Sequence, residues 1–129
     1  MKKSLLPELH EPEARAAVAE VLKALFDRWQ LHEVNQAQLL GLSSGIELKQ
    51  KIIQANTETM ERAGNLLAID RALLKRFPNQ PERHDRWVFT ANDHLDGLTP
   101  LSIMLENGLR GILSIRALAE LRHESVDDK

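Results

Sequence analysis

The side chains able to do chemistry in this chain are few and scattered. Five histidines stand at positions 10, 32, 84, 94 and 123, and none forms the i, i+4 pair that sets two imidazoles on one helix face for a metal. The densest polar group, Asp93-His94 with Asp96, falls in a turn-forming run where Asx side chains bond the backbone rather than an ion. Ser43, Ser44 and Ser102 have no adjacent base, no Gly-x-Ser-x-Gly elbow occurs, and no glycine-rich loop is present to cradle a phosphate. Cysteine is missing altogether, which excludes a disulfide framework, Cys-ligated zinc, an iron–sulfur cluster and a thiol nucleophile. These residues predict a protein that binds rather than catalyses, with no enzymatic activity, cofactor or metal site.

One local pattern carries a binding mechanism of its own. His32 to Leu40 reads as a short helix ended by Gly41, and Ile46 to Ile53 as a second. In a helix-turn-helix a small residue, here Ala37, lets the helices approach, a glycine four positions on makes the turn, and the second helix enters the major groove. Ser43 and Ser44 would donate to phosphates, and Lys49, Gln50 and Lys51 would face DNA. Glu47 and Gln50 occupy places where the usual pattern wants apolar residues, so the second helix is expected to pack on Ile46, Leu48, Ile52 and Ile53. That helix has no arginine, the commonest reader of guanine, and residues 1–57 carry seven basic and seven acidic side chains. Few phosphate contacts predict weak binding with a shallow salt dependence. A unit that only packs is the alternative reading of the same pattern.

The elements that must position these residues are helical. The chain has 129 residues and 14.6 kDa, is 43% hydrophobic and 28% charged, and carries a net charge of −2. That is one domain or two small ones, without the surplus of positive charge that spreads nucleic-acid affinity over a whole surface. No run approaches the roughly 18 apolar residues of a membrane span, and Met1 to Glu13 turns acidic where a signal peptide would turn apolar, so a cytoplasmic protein is expected. From Glu13, the residues Val18, Val21, Leu22, Leu25, Phe26 and Trp29 form one helical face, with Pro12 suited to the first turn. A longer helix is expected from Glu58 to Phe77, burying Ala63, Leu66, Leu67, Leu73, Leu74 and Phe77, with Asp70 paired to a neighbour such as Arg71. Thr99-Pro100 starts another helix, Asn107-Gly108 caps it in left-handed conformation, and a last one runs from Leu109 to about His123. This last helix is apolar on two sides, Ile112, Ile115, Leu118 and Ala119 on one and Leu113, Ala117 and Leu121 on the other, while Arg116 and Glu120 sit at ion-pair spacing. Sustained alternation is absent, and the fold class is all-α: a small helical bundle with a helix-turn-helix-like region over 1–57 and a helical C-terminal region over 58–129.

The segment Arg86 to Leu121 resembles the toxin-binding domain of the Xre/MbcA/ParS antitoxin family. The resemblance rests on Trp87, Asn92, Gly97-x-Thr99-Pro100-Leu101 and Leu105-x-x-Gly108 followed by a closing helix. Residues 61–83 are similar to the family's linking helix, and the helix-turn-helix to its Xre-like N-terminal region, so the likeness runs from about Glu13 onward. It implies an antitoxin that binds and silences a RES-domain toxin, an NAD-consuming enzyme, and that represses their shared operon. The motif residues are expected to act as scaffold, and Leu113, Leu121, Arg122, His123 and Glu124 to meet the toxin. The acidic tail with Glu124, Asp127 and Asp128 is expected to enter the toxin's substrate cleft. A homodimer suits a helix-turn-helix that reads two half-sites. A stand-alone transcription regulator, or a dimeric adaptor that binds neither DNA nor toxin, are the other classes open to this sequence.

Overall fold

The computed structural model describes residues 12–42 and 57–121, and the chain is all-α. Among these residues five helices follow one another: α1 Pro12–Arg28, α2 Glu33–Leu40, α3 Thr57–Arg76, α4 Pro81–Arg86 and α5 Pro100–Ala119. Two 3-10 turns, Trp87–Phe89 and Asp93–Leu95, lie between α4 and α5. Among the described residues there is no strand, and no helix is long and apolar enough to cross a membrane. The expected second helix of the helix-turn-helix, Ile46 to Ile53, lies outside the described residues.

Helix α1 buries Ala19, Leu22, Leu25, Phe26 and Trp29. Val21, expected on that face, is instead 55% exposed. Val21 lies only about 40° from Leu25 but about 100° from Leu22 and about 140° from Phe26, so it falls past the edge of the buried face, whereas Ala19, seven residues before Phe26, returns to nearly the same angle. The helix ends in a Schellman motif: Leu31 N donates to Phe26 O (3.1 Å) and Gln30 N to Asp27 O (3.0 Å), with Gln30 in left-handed conformation at φ 55°. Helix α2 ends the same way around Gly41, where Leu42 N donates to Ala37 O at 2.9 Å and φ is 71°.

Helix α3 is the axle of the fold. It packs against α1, α2, α4 and most extensively α5, through Ala63, Leu66, Ile69 and Leu73, all with no exposed surface. Two features of its expected face change: Ile69 joins the core and Leu74 leaves it, 57% exposed. The helix also stops at Arg76, one residue short of Phe77, because Pro78 disfavours helical backbone in the residue before it. At its start α3 closes the end of α2: buried Thr59 donates through Oγ1 to Leu40 O (3.1 Å), and Arg62 Nη1 donates to Leu39 O (3.4 Å). Those carbonyls have no acceptor role left inside α2, so side chains from α3 satisfy them. A single cluster of buried apolar side chains runs through all of this, from Ala19 to Ala119.

The helical span α5 is two arms. Thr99 caps the first, its Oγ1 accepting from Ser102 N at 3.1 Å, and Pro100 fills the first helical position. At Gly108 the backbone leaves helical space, with φ 62° and ψ −140°. The expected left-handed cap is corrected here: the ψ value lies in a region that glycine alone occupies readily, and the chain changes direction rather than merely stopping. The second arm folds so closely onto the first that a Cβ on Gly111 would stand 2.4 Å from Ile103 O and 2.9 Å from Asn107 Cβ. It ends at Ala119 rather than near His123, with Leu121 N donating to Leu118 O (3.2 Å) in a final turn.

These three glycines predict a graded result. Gly108→Ala and Gly111→Ala are each expected to destabilise the protein by about 1–3 kcal/mol, through a strained φ in the first and overpacking in the second. Gly64, in the middle of α3, has no atom of the described residues within 4 Å of a would-be Cβ apart from its own helix backbone and chain neighbours, and Gly64→Ala is expected to stabilise by about 0.5–1 kcal/mol. Thermal melts followed by circular dichroism check the order; a lower melting temperature for Gly64→Ala than for Gly111→Ala would contradict it.

Candidate functional site

The residues between α4 and the Gly108 break behave as a frame for the last arm. Asn92 is the centre of a compact turn: its Oδ1 accepts from His94 N (2.9 Å), its N–H donates to Leu98 O (3.0 Å), and its carbonyl accepts from Leu95 N and Gly97 N. Asp96 and Gly97 follow with φ 57° and 84°. Asp93, His94 and Asp96 lie in this turn, and among the described residues no group of three His, Asp or Glu side chains could hold a metal ion. Trp87, Pro100 and Leu101 are buried and Leu105 half-buried. Arg76 lies over the Trp87 ring (5.7 Å) and donates to Leu118 O (3.4 Å), which ties this frame to the end of α5.

What the frame presents is the outward side of the second arm. Ile112, Ile115, Leu118 and Ala119 face the core, while Leu113 is 47% and Leu121 50% exposed and Ala117 lies exposed between them. Leu113 and Ala117 are one helical turn apart, and Leu121 continues their line just past the helix end. Arg116 pairs with Glu120 at 2.9 Å, the spacing expected, and also donates to Asn65 Oδ1 on α3 at 2.7 Å, which pins the arm's orientation. The other proposed toxin contacts, Arg122, His123 and Glu124, lie outside the described residues. So do all five proposed DNA contacts, Ser43, Ser44, Lys49, Gln50 and Lys51.

Away from that arm stands a charged network centred on Asp70, whose ion pair the sequence predicted with the wrong partner. Asp70 is paired not with Arg71 but with Arg28 of α1, its two oxygens accepting from Nη1 and Nη2 at 3.2 and 2.9 Å. Arg28 Nη1 also donates to Asp85 Oδ1 (3.0 Å), and buried His84 meets Asp70 Oδ1 through Nε2 at 2.7 Å. The hydrogen bond from Asp70 is the main cause that holds the Arg28 guanidinium above its ordinary pKa; burial opposes it, and the negative charges of Asp70 and Asp85 add to it. Three elements distant in sequence, α1, α3 and α4, are thus latched at one point. Only Asp70 was conspicuous in the sequence, as a carboxylate inside an apolar stripe; its partners lie 42 and 14 residues away, beyond any local pattern.

No family model matches the chain. The uncharacterized protein y4oB of Sinorhizobium fredii (strain NBRC 101917 / NGR234) is 34% identical to it over 107 residues, covering 78% of this chain and 82% of that protein.

The network orders two substitutions. Asp70→Ala strips acceptors from both Arg28 and His84 and is expected to cost about 2–4 kcal/mol, whereas Asp85→Ala leaves Arg28 its bidentate partner and costs about 1 kcal/mol or less. Urea denaturation at neutral pH measures both, and equal losses would deny Asp70 its central place.

Proposed function

The chain belongs to the family of the rhizobial protein y4oB, whose name states no activity, and we propose its function from its own residues: it is an antitoxin that binds and silences a RES-domain, NAD-consuming toxin. The observation that carries this reading is the uncovered apolar line Leu113, Ala117, Leu121 on a stiffly framed last arm. Half-exposed leucines in a row, on an arm fixed by Arg116, Arg76 and the Gly108 turn, offer a partner a surface whose ordering cost is already met. The motif residues that resemble the antitoxin family, Asn92, Gly97, Thr99, Pro100 and Gly108, support the reading through what they do here: they shape the arm and leave contact to others.

In this reading the toxin covers Leu113 and Leu121 and also takes Arg122, His123 and Glu124, while the acidic tail with Glu124, Asp127 and Asp128 occupies the substrate cleft, where positive charge serves a dinucleotide. The protein works in the cytoplasm as a homodimer and represses the operon through the helix-turn-helix, whose first helix is α2 with buried Ala37 and left-handed Gly41. Ser43, Ser44, Lys49, Gln50 and Lys51 make the DNA contacts, and the absence of arginine among them keeps that binding weak.

Co-expression with the protein encoded beside its gene tests the reading, with growth, intracellular NAD and co-purification as readouts. Rescue with a stable complex is expected; neither rescue nor complex would move the assignment to a transcription regulator or an adaptor. Leu113→Ala with Leu121→Ala is expected to weaken the complex about 10–100-fold, as hot-spot side chains do, with helical content unchanged. Unaltered affinity in a titration with purified toxin would place the interface elsewhere. Deleting residues 124–129 is expected to abolish inhibition while leaving part of the binding.

A further inference from the structure

A cleft of about 590 Å³ opens where the end of α1 faces α4 and the Trp87–Phe89 turn, and it shares no lining residue with the last arm. Its size is that of small-molecule sites. Trp29 is 1% exposed and lines the cleft, and its indole Nε1 has no hydrogen-bond partner among the described residues. A buried donor without an acceptor carries a standing desolvation cost that a ligand can remove.

The next residue adds to this. Gln30 lines the same cleft in left-handed backbone conformation, φ 55°. The two other non-glycine residues with positive φ among those described are Asn79 and Asp96, types that tolerate it. Glycine would serve the helix end better than glutamine, so a glutamine here bears a backbone strain that brings no packing return, and its amide has no hydrogen bond among the described residues.

The charges of the cleft narrow the ligand. Arg28 and Asp85 line it too, but they are spent on one another and on Asp70. That leaves the Arg86 guanidinium, which makes no ion pair among the described residues, and Glu82 at the rim, exposed and likewise unpaired. Among the described residues, one unpaired positive charge and two unpartnered donors, the Gln30 amide and the buried Trp29 indole, suit a single carboxylate; Glu82 counts against a polyanion such as a nucleotide. Phe89, 44% exposed, supplies an apolar wall.

We propose that the Trp29–Arg86–Phe89 cleft is a binding site for a small monoanionic carboxylate with a flat apolar body. The carboxylate pairs with Arg86 and accepts from Trp29 or Gln30, and the apolar body lies on Phe89. Because the cleft wall includes Arg28 and Asp85, occupancy braces the latch that holds α1 to α3 and α4.

Phenylacetate is the probe, with acetate and phenethylamine as controls that keep only the charge or only the ring. The full chain has two tryptophans and so two indole N–H signals, assigned by through-bond experiments in a ¹H–¹⁵N spectrum. Phenylacetate is expected to move the Trp29 signal saturably, with a Kd of about 1 mM or tighter, and to raise the melting temperature. Arg86→Ala and Phe89→Ala, both at exposed positions, are each expected to weaken binding about tenfold or more without lowering the ligand-free melting temperature. No saturable shift up to about ten times that concentration, an equal response to phenethylamine, or full binding by Arg86→Ala would overturn the proposal. None of these readouts involves a toxin or DNA, so failure here leaves the proposed function standing.

Discussion

The guanidinium of Arg62 is the contact on which the arrangement of helices turns. It lies 3.0 Å from the place where a Cβ on Gly41 would stand and 3.2 Å from that on Gly108. The same group donates to Leu39 O at the end of α2 and pairs with Glu58 at 2.7 Å one turn earlier on α3. A single, largely buried side chain thus fills the space beside the two glycines that turn the backbone after α2 and between the arms of α5. Both glycines are needed twice over, for their positive φ and for the room they leave. The Arg62–Glu58 pair, exposed on its Glu58 side, is worth little by itself; what matters is that the stem and head of Arg62 occupy a volume shared by three helices.

With that volume filled, two further constraints fix the ends of the molecule. Near α4, the Arg28–Asp70 pair with Asp85 and His84 holds α1 against the axle. Near the chain's other end, Arg76 reaches from α3 to the Trp87 ring and the Leu118 carbonyl, satisfying a helix-terminal acceptor. Each is a long cationic side chain rooted on α1 or α3 that reaches an element far away in sequence. Apolar burial supplies the drive for folding, but these directional contacts select which helix end meets which.

The division between scaffold and surface follows from this frame. Asn92, Thr99, Pro100 and Gly108 spend their polar atoms or backbone freedom locally, so they set the direction of the last arm. Leu113, Ala117 and Leu121 are what that direction exposes. The cleft at Trp29 differs: its wall combines paired charges with donors that have no partner among the described residues, and Gln30 tolerates a strained backbone there. An exposed apolar line and a cleft with polar walls therefore coexist on so small a protein without sharing residues.

Caps and turns were legible from sequence alone because their physics spans only a few residues. Gly41 ending α2, Thr99-Pro100 starting α5, the Asn92–Gly97 turn and the all-α class follow from side-chain hydrogen bonds and φ preferences within a turn of helix. Periodicity placed most of the core but misjudged Val21, Leu74 and Ile69. A helix's stripe is only as wide as the neighbours that cover it, and their positions are tertiary. The same holds for Asp70, whose partner belongs to another helix, and for Gly111, an ordinary helical glycine until the Gly108 turn brings Ile103 O against it. The sequence by itself determined α1, α2, α3 and α5 as helical and how most of them begin, but not the short helix α4. Only the packing of α1, α4 and α5 around α3 decided which charges meet, which leucines stay bare and where a cleft remains, because those depend on contacts between residues 14 to 57 positions apart.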